Sequence, residues 1–401
     1  MSITGKLYYS ASVGAIIARV TVLRWLSMSG SRCITESKAK EAAEDEVLIK
    51  DVGDKGVIIL NRPKVLNTVN LSMARKVYSI LKQWESSKKL VIIEGMGDKA
   101  FCAGGDVKSL ALALTESKED FYFIEETFRQ NYNLNYLVGT YEKPYIAIMN
   151  GITMGGGVGL AIFGKYRIAT EKTLCAVPET AIGLFPDAGA TYFLSRLKGK
   201  LGVYLGLTGH KLKGVDVLFA GIATHFVPSE KLMDLKRDLL TLHEVDKSVL
   251  TILNKYQPKL NYKFSLAPHM SQIENCFSAP TVEEIIERLK KDNSEWAQKN
   301  IDILLKMSPS SLKITKKAID EGKEKSLVDC LKIEFRLVCT ALTKDGDFYE
   351  GVRALLIDKD QKPLWKPTSL PDVTNEYLNK RFAMLPVEKE LQLCTRKLNG
   401  N

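Results

Sequence analysis

The stretch KPYIAIMNGITMGGGVGL, Lys143 to Leu160, carries the pattern that decides the fold. Its apolar run Ile146–Met149 predicts a short buried strand, and the apolar residues after the glycines predict a helix. Between strand and helix lie Gly151 and then the consecutive glycines Gly155–Gly157. Because glycine destabilises a helix by about 1 kcal/mol relative to alanine, this row of glycines at a strand-to-helix turn needs a reason.

The same outline occurs elsewhere in the chain. LVIIEGMGDKAFCAGGDV, Leu90 to Val107, is again an apolar strand, an irregular segment and a glycine cluster before a predicted helix. YRIAT, TLCAVPE and the helix expected after Asp187 form a third copy. Upstream, VLIKDV, GDKG and VIIL predict a hairpin, and Leu71–Glu85 repeats apolar residues along one face of a helix. The sequence therefore predicts an α/β fold of repeated strand-strand-helix units.

The pattern changes beyond about Val227, where long charged helical segments such as TVEEIIERLKKDNSEWAQKN dominate. We therefore place a boundary near Pro228. It separates a core of residues 46–228 from a mainly helical C-terminal region of residues 229–401.

The composition is that of an ordinary globular protein, with 401 residues of which 45% are hydrophobic and 26% charged. The seven cysteines include no CxxC pair, which argues against a disulfide framework and against a zinc site. The four histidines show no HxxxH spacing, so a histidine metal site is not expected. Since no stretch is long and apolar enough to span a bilayer, we expect no membrane segment.

The net charge of +10 invites a nucleic-acid interpretation, but part of it lies at the N-terminus. Residues 1–35 hold Lys6, Arg19, Arg24 and Arg32, contain no acid and are rich in serine. This composition predicts a mitochondrial transit peptide over residues 1–35. Without those four charges the rest of the chain carries +6, which suits an anionic ligand, a nucleic acid or a solvated surface.

The two glycine turns suggest a chemical role. A helix N-terminus has unpaired N–H groups and a partial positive charge. The turns Ala103–Asp106 and Gly155–Gly157, brought together, would aim two amides at one oxygen and form an oxyanion hole. The alternative is that the glycines only permit close packing of strand and helix. A P-loop is excluded because no GK[ST] follows, and GGGVG does not fit the dinucleotide fingerprint.

Two carboxylates, Glu179 and Asp187, lie in the largely apolar segment PETAIGLFPDAGATYFL. Such groups are costly to bury unless they are paired or used in chemistry. Apolar surroundings raise the pKa of a carboxyl group, which suits general acid or base catalysis. Asp187 has a second interpretation as the N-cap of the following helix, and both remain open at this point.

Four motifs resemble those of the crotonase (enoyl-CoA hydratase/isomerase) superfamily and occur in the family's order. They are NRPKVLN (Asn61–Asn67), FCAGGD (Phe101–Asp106), NGITMGGGVGL (Asn150–Leu160) and PETAIGLFPDAGATYFL (Pro178–Leu194). LTGHKLKGVDVLFAGIATHFVP, which ends at Pro228, continues the match. Within the superfamily, ITMGGGVGL, PETAIGLFPD, GIATHFVP and the segment Glu334–Trp365 look like the branch of 3-hydroxyisobutyryl-CoA hydrolases.

The resemblance implies a crotonase-like spiral of repeated ββα units, with CoA bound across it, followed by a mainly helical C-terminal region. It implies that the backbone N–H groups of Gly105 and Gly156 hold the thioester oxygen. Glu179 would act on the thioester carbon as a nucleophile, or on water as a general base. Asp187 would orient the substrate hydroxyl or Glu179, or help protonate the leaving thiolate.

Two departures from family patterns affect the expected activity. Hydratases have a glutamate at the position of Gly159, so hydration by a pair of acids is not expected here. The family's hydrolases usually have FREEY where this chain has FRQNY, which puts Asn131 in place of an acid that contacts substrate. Since an amide hydrogen-bonds but carries no charge, we expect substrate preference or rate to differ.

Together these points predict a hydrolase of a short, branched 3-hydroxyacyl-CoA in the mitochondrial matrix. We expect no metal or other cofactor, since CoA is part of the substrate, and no nucleic-acid or membrane partner. A homo-oligomer is compatible with the resemblance, because superfamily members often form trimers. The alternatives are an enoyl-CoA hydratase or isomerase, and a non-catalytic protein associated with the mitochondrial ribosome.

Overall fold

Within residues 45–115 and 118–393, which the computed structural model describes, ten strands form two sheets. The strands are β1 (Val47–Val52), β2 (Lys55–Leu60), β3 (Leu90–Gly95), β4 (Ala100–Cys102), β5 (Tyr145–Met149), β6 (Ile152–Met154), β7 (Tyr166–Ala169), β8 (Leu174–Ala176), β9 (Leu212–Lys213) and β10 (His225–Phe226). The transit peptide predicted over residues 1–35 lies outside the described residues.

The order of the strands confirms the repeated units. One sheet runs β1-β2-β3-β5-β7-β10 and the other β4-β6-β8-β9, so the strands from β3 to β8 alternate between the sheets. The predicted hairpin is the antiparallel pair β1–β2, whereas β2, β3, β5, β7 and β10 are parallel neighbours. Because β4, β6 and β8 also run parallel, the turns that follow them lie at the same end of the second sheet.

The helices of the described residues follow the strands and then take over the chain. They are α1 (Leu71–Trp84), α2 (Val107–Ala113), α3 (Lys118–Gly139), α4 (Gly156–Ile162), α5 (Ala190–Leu194), α6 (Leu201–Thr208), α7 (Asp216–Phe219), α8 (Leu232–Leu240), α9 (Val245–Tyr256), α10 (Met270–Phe277), α11 (Val282–Asp292), α12 (Glu295–Leu304), α13 (Pro309–Gly322), α14 (Leu327–Ala341), α15 (Asp347–Val352) and α16 (Asn375–Phe382). Every described element after β10 is helical, which confirms the helical C-terminal region. The boundary near Pro228 stays a prediction.

Helix α1 shows how the sequence specifies an element locally. The Asn70 side chain accepts a hydrogen bond from the Met73 N–H and so caps the helix N-terminus. The predicted apolar face is buried at Met73, Val77, Leu81 and Trp84. Ile80, which the same pattern places on this face, is only half-buried because it lies at the edge of the stripe.

The C-terminal helices pack onto the core through a second hydrophobic cluster. Phe128 and Tyr132 of α3, Phe185 of the segment after β8, and Leu331 and Phe335 of α14 belong to it. The cluster joins the C-terminal region to the segment that follows Glu179, so the region lies next to the predicted site. None of the helices in the described part of the chain has the length and apolar character needed to span a membrane.

Candidate active site

One cavity of about 290 Å³ gathers the residues that the sequence singles out. The five that line it are Gly105, Asn131, Gly156, Glu179 and Asp187. The turns after β4 and β6, the segment after β8 and the middle of α3 form most of its wall. Among the described residues that line it, the ionisable side chains are those of Glu179, Asp187 and Tyr132. Acid–base or nucleophilic chemistry in this cavity therefore falls on two carboxyl groups and a phenol.

The two glycine turns come together at the cavity wall. Gly105 follows β4, and Gly156 is the first residue of α4, which follows the neighbouring parallel strand β6. A Cβ atom built on Gly156 would lie 3.5 Å from the Gly105 nitrogen. Among the described residues, neither the Gly105 N–H nor the Gly156 N–H donates a hydrogen bond to a protein acceptor. Two adjacent free amides at a cavity are the elements of an oxyanion hole.

Close packing explains some glycines of the cluster and leaves these two unexplained. A Cβ atom at Gly157 would lie 2.2 Å from the Cys102 carbonyl oxygen, so only glycine fits there. A Cβ atom at Gly105 would meet nothing within 4 Å, and one at Gly156 would make an ordinary contact. The packing alternative therefore holds for Gly157 but gives no reason for glycine at positions 105 and 156.

Glu179 begins the short 3-10 turn Glu179–Ile182 directly after β8. It is only 6% exposed, and its Oε2 atom has no hydrogen-bond partner. A Cβ atom at Gly155, whose φ is +49°, would lie 2.5 Å from Oε1, so the carboxylate lies directly against the glycine turn. Burial first, and then the nearby negative charge of Asp187, raise the pKa of Glu179 well above its usual value.

Asp187 is half-buried and accepts a hydrogen bond of 2.8 Å from the Tyr132 hydroxyl through Oδ2. Burial raises the pKa of Asp187 to about 6, and the Tyr132 hydrogen bond opposes that rise. The N-cap interpretation is wrong, because α5 is capped at Gly189 and no side chain of the cap residue bonds to the helix. The Asp187 side chain therefore does not cap the helix, and it lines the cavity together with Tyr132.

Helix α5 is instead capped by Glu334, a residue that the sequence analysis did not identify. Glu334 of α14 is 0% exposed, and its Oε2 and Oε1 atoms accept hydrogen bonds of 2.7 and 2.8 Å from the N–H groups of Gly189 and Thr191. Burial and the charge of Asp187 raise the pKa of Glu334 to about 8, against the lowering effect of those two N–H donors. Its spacing in α14 could have revealed it, since Glu334 lies on the same helical face as the buried residues Leu331 and Val338.

Helix α3 and the C-terminal region supply further cavity residues to which the sequence analysis gave no role. Tyr132 and Asn135 line the cavity beside Asn131, and both are buried. Leu355 and Leu356 line it from the π-helical turn Arg353–Ile357. The site is therefore assembled from both regions of the chain, although the two carboxylates and the free amides all come from the core.

Comparison with known proteins places the chain among enzymes that act on CoA thioesters. A family described as "Enoyl-CoA hydratase/isomerase" matches residues 55–382. The chain is 51% identical over 356 residues to a human protein named "3-hydroxyisobutyryl-CoA hydrolase, mitochondrial", covering 87% of this chain and 91% of the relative. A zebrafish protein (Danio rerio) of the same name is 50% identical over 358 residues, covering 88% of this chain and 92% of the relative.

Solved structures show the same fold. A carnitinyl-CoA dehydratase from Mycobacterium thermoresistibile superimposes with a TM-score of 0.80 at 34% identity, covering 88% of this chain and all of the other, 100%. An enoyl-CoA hydratase from Rhodobacter sphaeroides superimposes with a TM-score of 0.79 at 32% identity, covering 87% of this chain and 100% of that one. These similarities confirm the crotonase-like fold that the sequence predicts.

Proposed function

This chain belongs to the enoyl-CoA hydratase/isomerase family, and from that premise we propose that it is a mitochondrial thioester hydrolase that converts 3-hydroxyisobutyryl-CoA and water into 3-hydroxyisobutyrate and CoA. This is the activity that places the enzyme in valine breakdown. The observation that carries the proposal is a buried carboxylate, Glu179, with one unpartnered oxygen beside two free amides. The full-length similarity to relatives named for this activity supports the substrate.

The reaction needs charge stabilisation on the thioester oxygen. When a nucleophile adds to the carbonyl carbon, that oxygen becomes negative, and the N–H groups of Gly105 and Gly156 would donate to it. These donors are preorganised by β4 and by the start of α4, so they stabilise the transition state without rearranging. The C–S bond then breaks, and the CoA thiolate takes up a proton.

Glu179 would start the reaction by one of two routes. As a nucleophile, its carboxylate adds to the thioester carbon, expels CoA and forms an anhydride, which water then cleaves to free acid and restored carboxylate. As a general base, it takes a proton from water while the water oxygen adds to the carbon. Asp187, held by Tyr132, would orient Glu179 or the substrate hydroxyl, or return a proton to the leaving thiolate.

The alternative of an enoyl-CoA hydratase meets a steric obstacle. A Cβ atom at Gly159 would lie 2.6 Å from the Ala188 Cβ and 2.9 Å from the Ala188 carbonyl oxygen. The place that hydratases give to a second glutamate is therefore filled by the chain itself. The non-catalytic alternative, a ribosome-associated protein, has no use for a buried carboxylate with a free oxygen, and Glu179 has one.

A panel of thioesters with release of free CoA thiol as the readout tests the proposal. We expect turnover of 3-hydroxyisobutyryl-CoA and no hydration of crotonyl-CoA. Absence of thiol release together with hydration of crotonyl-CoA would favour the hydratase instead. Absence of both activities together with co-sedimentation with ribosomes at moderate salt would favour the non-catalytic protein.

Single-turnover hydrolysis in ¹⁸O-labelled water separates the two routes. If Glu179 is the nucleophile and water attacks the Glu179 carbonyl of the anhydride, the protein carboxylate gains the labelled oxygen. If Glu179 is a general base, the label enters only the released acid. Peptide mass spectrometry of the segment containing Glu179 reads the result.

A further inference from the structure

The side-chain oxygen of Asn135 is buried at the cavity wall without a partner. Asn135 is 2% exposed and lines the cavity. Its Oδ1 atom is buried and accepts no hydrogen bond, and no described residue bonds to either end of the amide. A buried amide in this condition destabilises a protein, so its persistence points to a partner that arrives with a ligand.

The position of this amide relates it to the catalytic groups. Asn135 lies one helical turn after Tyr132, and Tyr132 donates its hydroxyl hydrogen bond to Asp187. A Cβ atom at Gly159 would lie 3.0 Å from Asn135 Nδ2 and 2.6 Å from the Ala188 Cβ. The amide therefore lies between the middle of α4 and the residue after Asp187, at the wall of the cavity that holds both carboxyl groups.

The hydrogen-bonding groups of the Asn135 amide indicate the kind of ligand group that it would bind. Asn presents one hydrogen-bond acceptor and donors on its nitrogen, so it satisfies a group that both donates and accepts. A hydroxyl group on the acyl chain is such a group, whereas a plain alkyl chain would leave the amide unpaired on binding. Asn131 differs, because it is only half-buried and is not among the described residues with a buried, unpaired side-chain atom.

We propose that Asn135 binds the acyl hydroxyl and is the residue that makes the enzyme select hydroxylated over plain acyl-CoA thioesters. This rests on the proposed hydrolase function and adds a residue to it. Discrimination by one buried hydrogen bond of this kind is on the order of 10- to 100-fold.

The test compares two substrates that differ only in the hydroxyl group, 3-hydroxyisobutyryl-CoA and isobutyryl-CoA. The quantity measured is the ratio of their kcat/KM values in the wild type, in Asn135→Leu and in Asn135→Ala. We expect the wild type to favour the hydroxylated substrate, and both variants to lower the ratio by about 10- to 100-fold through loss on that substrate alone. Circular dichroism checks that the variants are folded. If the leucine variant does not fold, the alanine variant provides the comparison.

Asn133→Leu is the matched control. Asn133 lies on the same helix, donates its amide hydrogen bond to the Arg129 carbonyl, and is absent from the cavity lining. This variant should keep the wild-type ratio. A wild-type ratio near one, an unchanged ratio in both Asn135 variants, or an equal fall with both substrates would overturn the assignment while leaving the hydrolase intact. If the wild type hydrolyses neither thioester, the proposed function itself fails and this assignment falls with it.

Discussion

The spiral core and the helical C-terminal region each contain a buried glutamate near the cavity, and the two glutamates have different hydrogen-bond partners. In the core, Glu179 is 6% exposed and keeps one oxygen without a partner. In the C-terminal region, Glu334 is 0% exposed and both of its oxygens accept backbone N–H groups. Burial raises the pKa of both acids, so the pKa alone does not separate them.

Glu179 and Glu334 differ in whether all their carboxylate oxygens have hydrogen-bond partners. A carboxylate that bonds to two N–H groups is a fixed part of the structure, since moving it leaves those donors unpaired. A carboxylate with a free oxygen at a cavity holds that oxygen available for a reaction. The same substitution, glutamate to glutamine, should therefore have opposite consequences in the two regions.

The largest expected effect is on turnover in Glu179→Gln. Glutamine has nearly the same shape but cannot accept a proton or form an anhydride, so kcat should fall by about 10²- to 10⁴-fold. Steady-state thiol release measures it. Glu230→Gln is the control, because Glu230 is exposed and its Lys231 pair spans 4.0 Å. Near-normal turnover of Glu179→Gln would show that Glu179 takes no part in the reaction.

Substitution of the two free-amide glycines should give the next largest effect. Gly105→Ala and Gly156→Ala meet no steric clash in the fold, yet each adds a methyl group at the cavity wall, where it would hinder the approach of a substrate carbonyl to the free amides. We expect kcat/KM to fall by about 10²- to 10³-fold with little change in Tm.

Gly53→Ala provides the reverse pattern as a control. Gly53 has a φ of +61° and no atom within 4 Å of an added Cβ, so alanine introduces backbone strain in the hairpin turn and nothing else. It should lower stability by about 1–2 kcal/mol and leave turnover unchanged. If Gly105→Ala or Gly156→Ala lowered the stability of the protein as Gly53→Ala does, the role of these two glycines would be structural.

Glu334→Gln should act mainly on stability. One carboxylate oxygen becomes an NH₂ group that faces the N–H of Gly189 or Thr191, so the cap of α5 loses an acceptor. We expect the free energy of unfolding to fall by about 1–3 kcal/mol, with a smaller loss of turnover than in Glu179→Gln. Chemical denaturation measures it, with the exposed Glu324→Gln as control. An unchanged unfolding free energy would show that the cap is dispensable.

Both acids have raised pKa values, but only at Glu334 does glutamine remove an acceptor from bonded N–H groups, so Glu179→Gln should have the opposite sign in the same measurement. Because the pKa of Glu179 is raised, the native state keeps this proton at pH values where the unfolded chain has lost it. Wild-type stability therefore falls as pH rises above the usual glutamate range, and glutamine removes that loss. The Tm advantage of the variant over the wild type should grow from pH 5 to pH 8. A constant difference across that range would contradict the raised pKa.

The smallest expected effect is a shift in the pH profile of Asp187→Asn. The negative charge of Asp187 is the second cause, after burial, that raises the pKa of Glu179. Since Glu179 must be ionised to act, kcat/KM rises with pH as its proton leaves. Removal of the Asp187 charge lowers that pKa, so the rising limb of the residual activity should move to lower pH. An unmoved limb would mean that the two carboxylates do not interact.

Local patterns in the sequence predicted most of the fold and part of the site. The hairpin, the helix at Leu71–Trp84 and the repeated units follow from apolar period and turn residues, and the structure contains them. The motifs also selected Glu179 and Asp187, which line one cavity. The interpretation of Asp187 as an N-cap was wrong. The local sequence could not show this, because an acid before a helix looks the same whether or not it caps that helix.

The sequence by itself determined the order of strands and helices, the positions of the glycine turns and the family. Each of these is encoded in residues that are neighbours along the chain, through the 2.0- and 3.6-residue periods of strand and helix. Only the tertiary structure decided which glycines serve packing and which leave an amide free, since that depends on atoms such as the Cys102 carbonyl oxygen across the turn. It also decided that Glu334 caps a helix 143 residues earlier at Thr191, because the spacing in α14 can mark Glu334 as buried but not which N–H groups it meets.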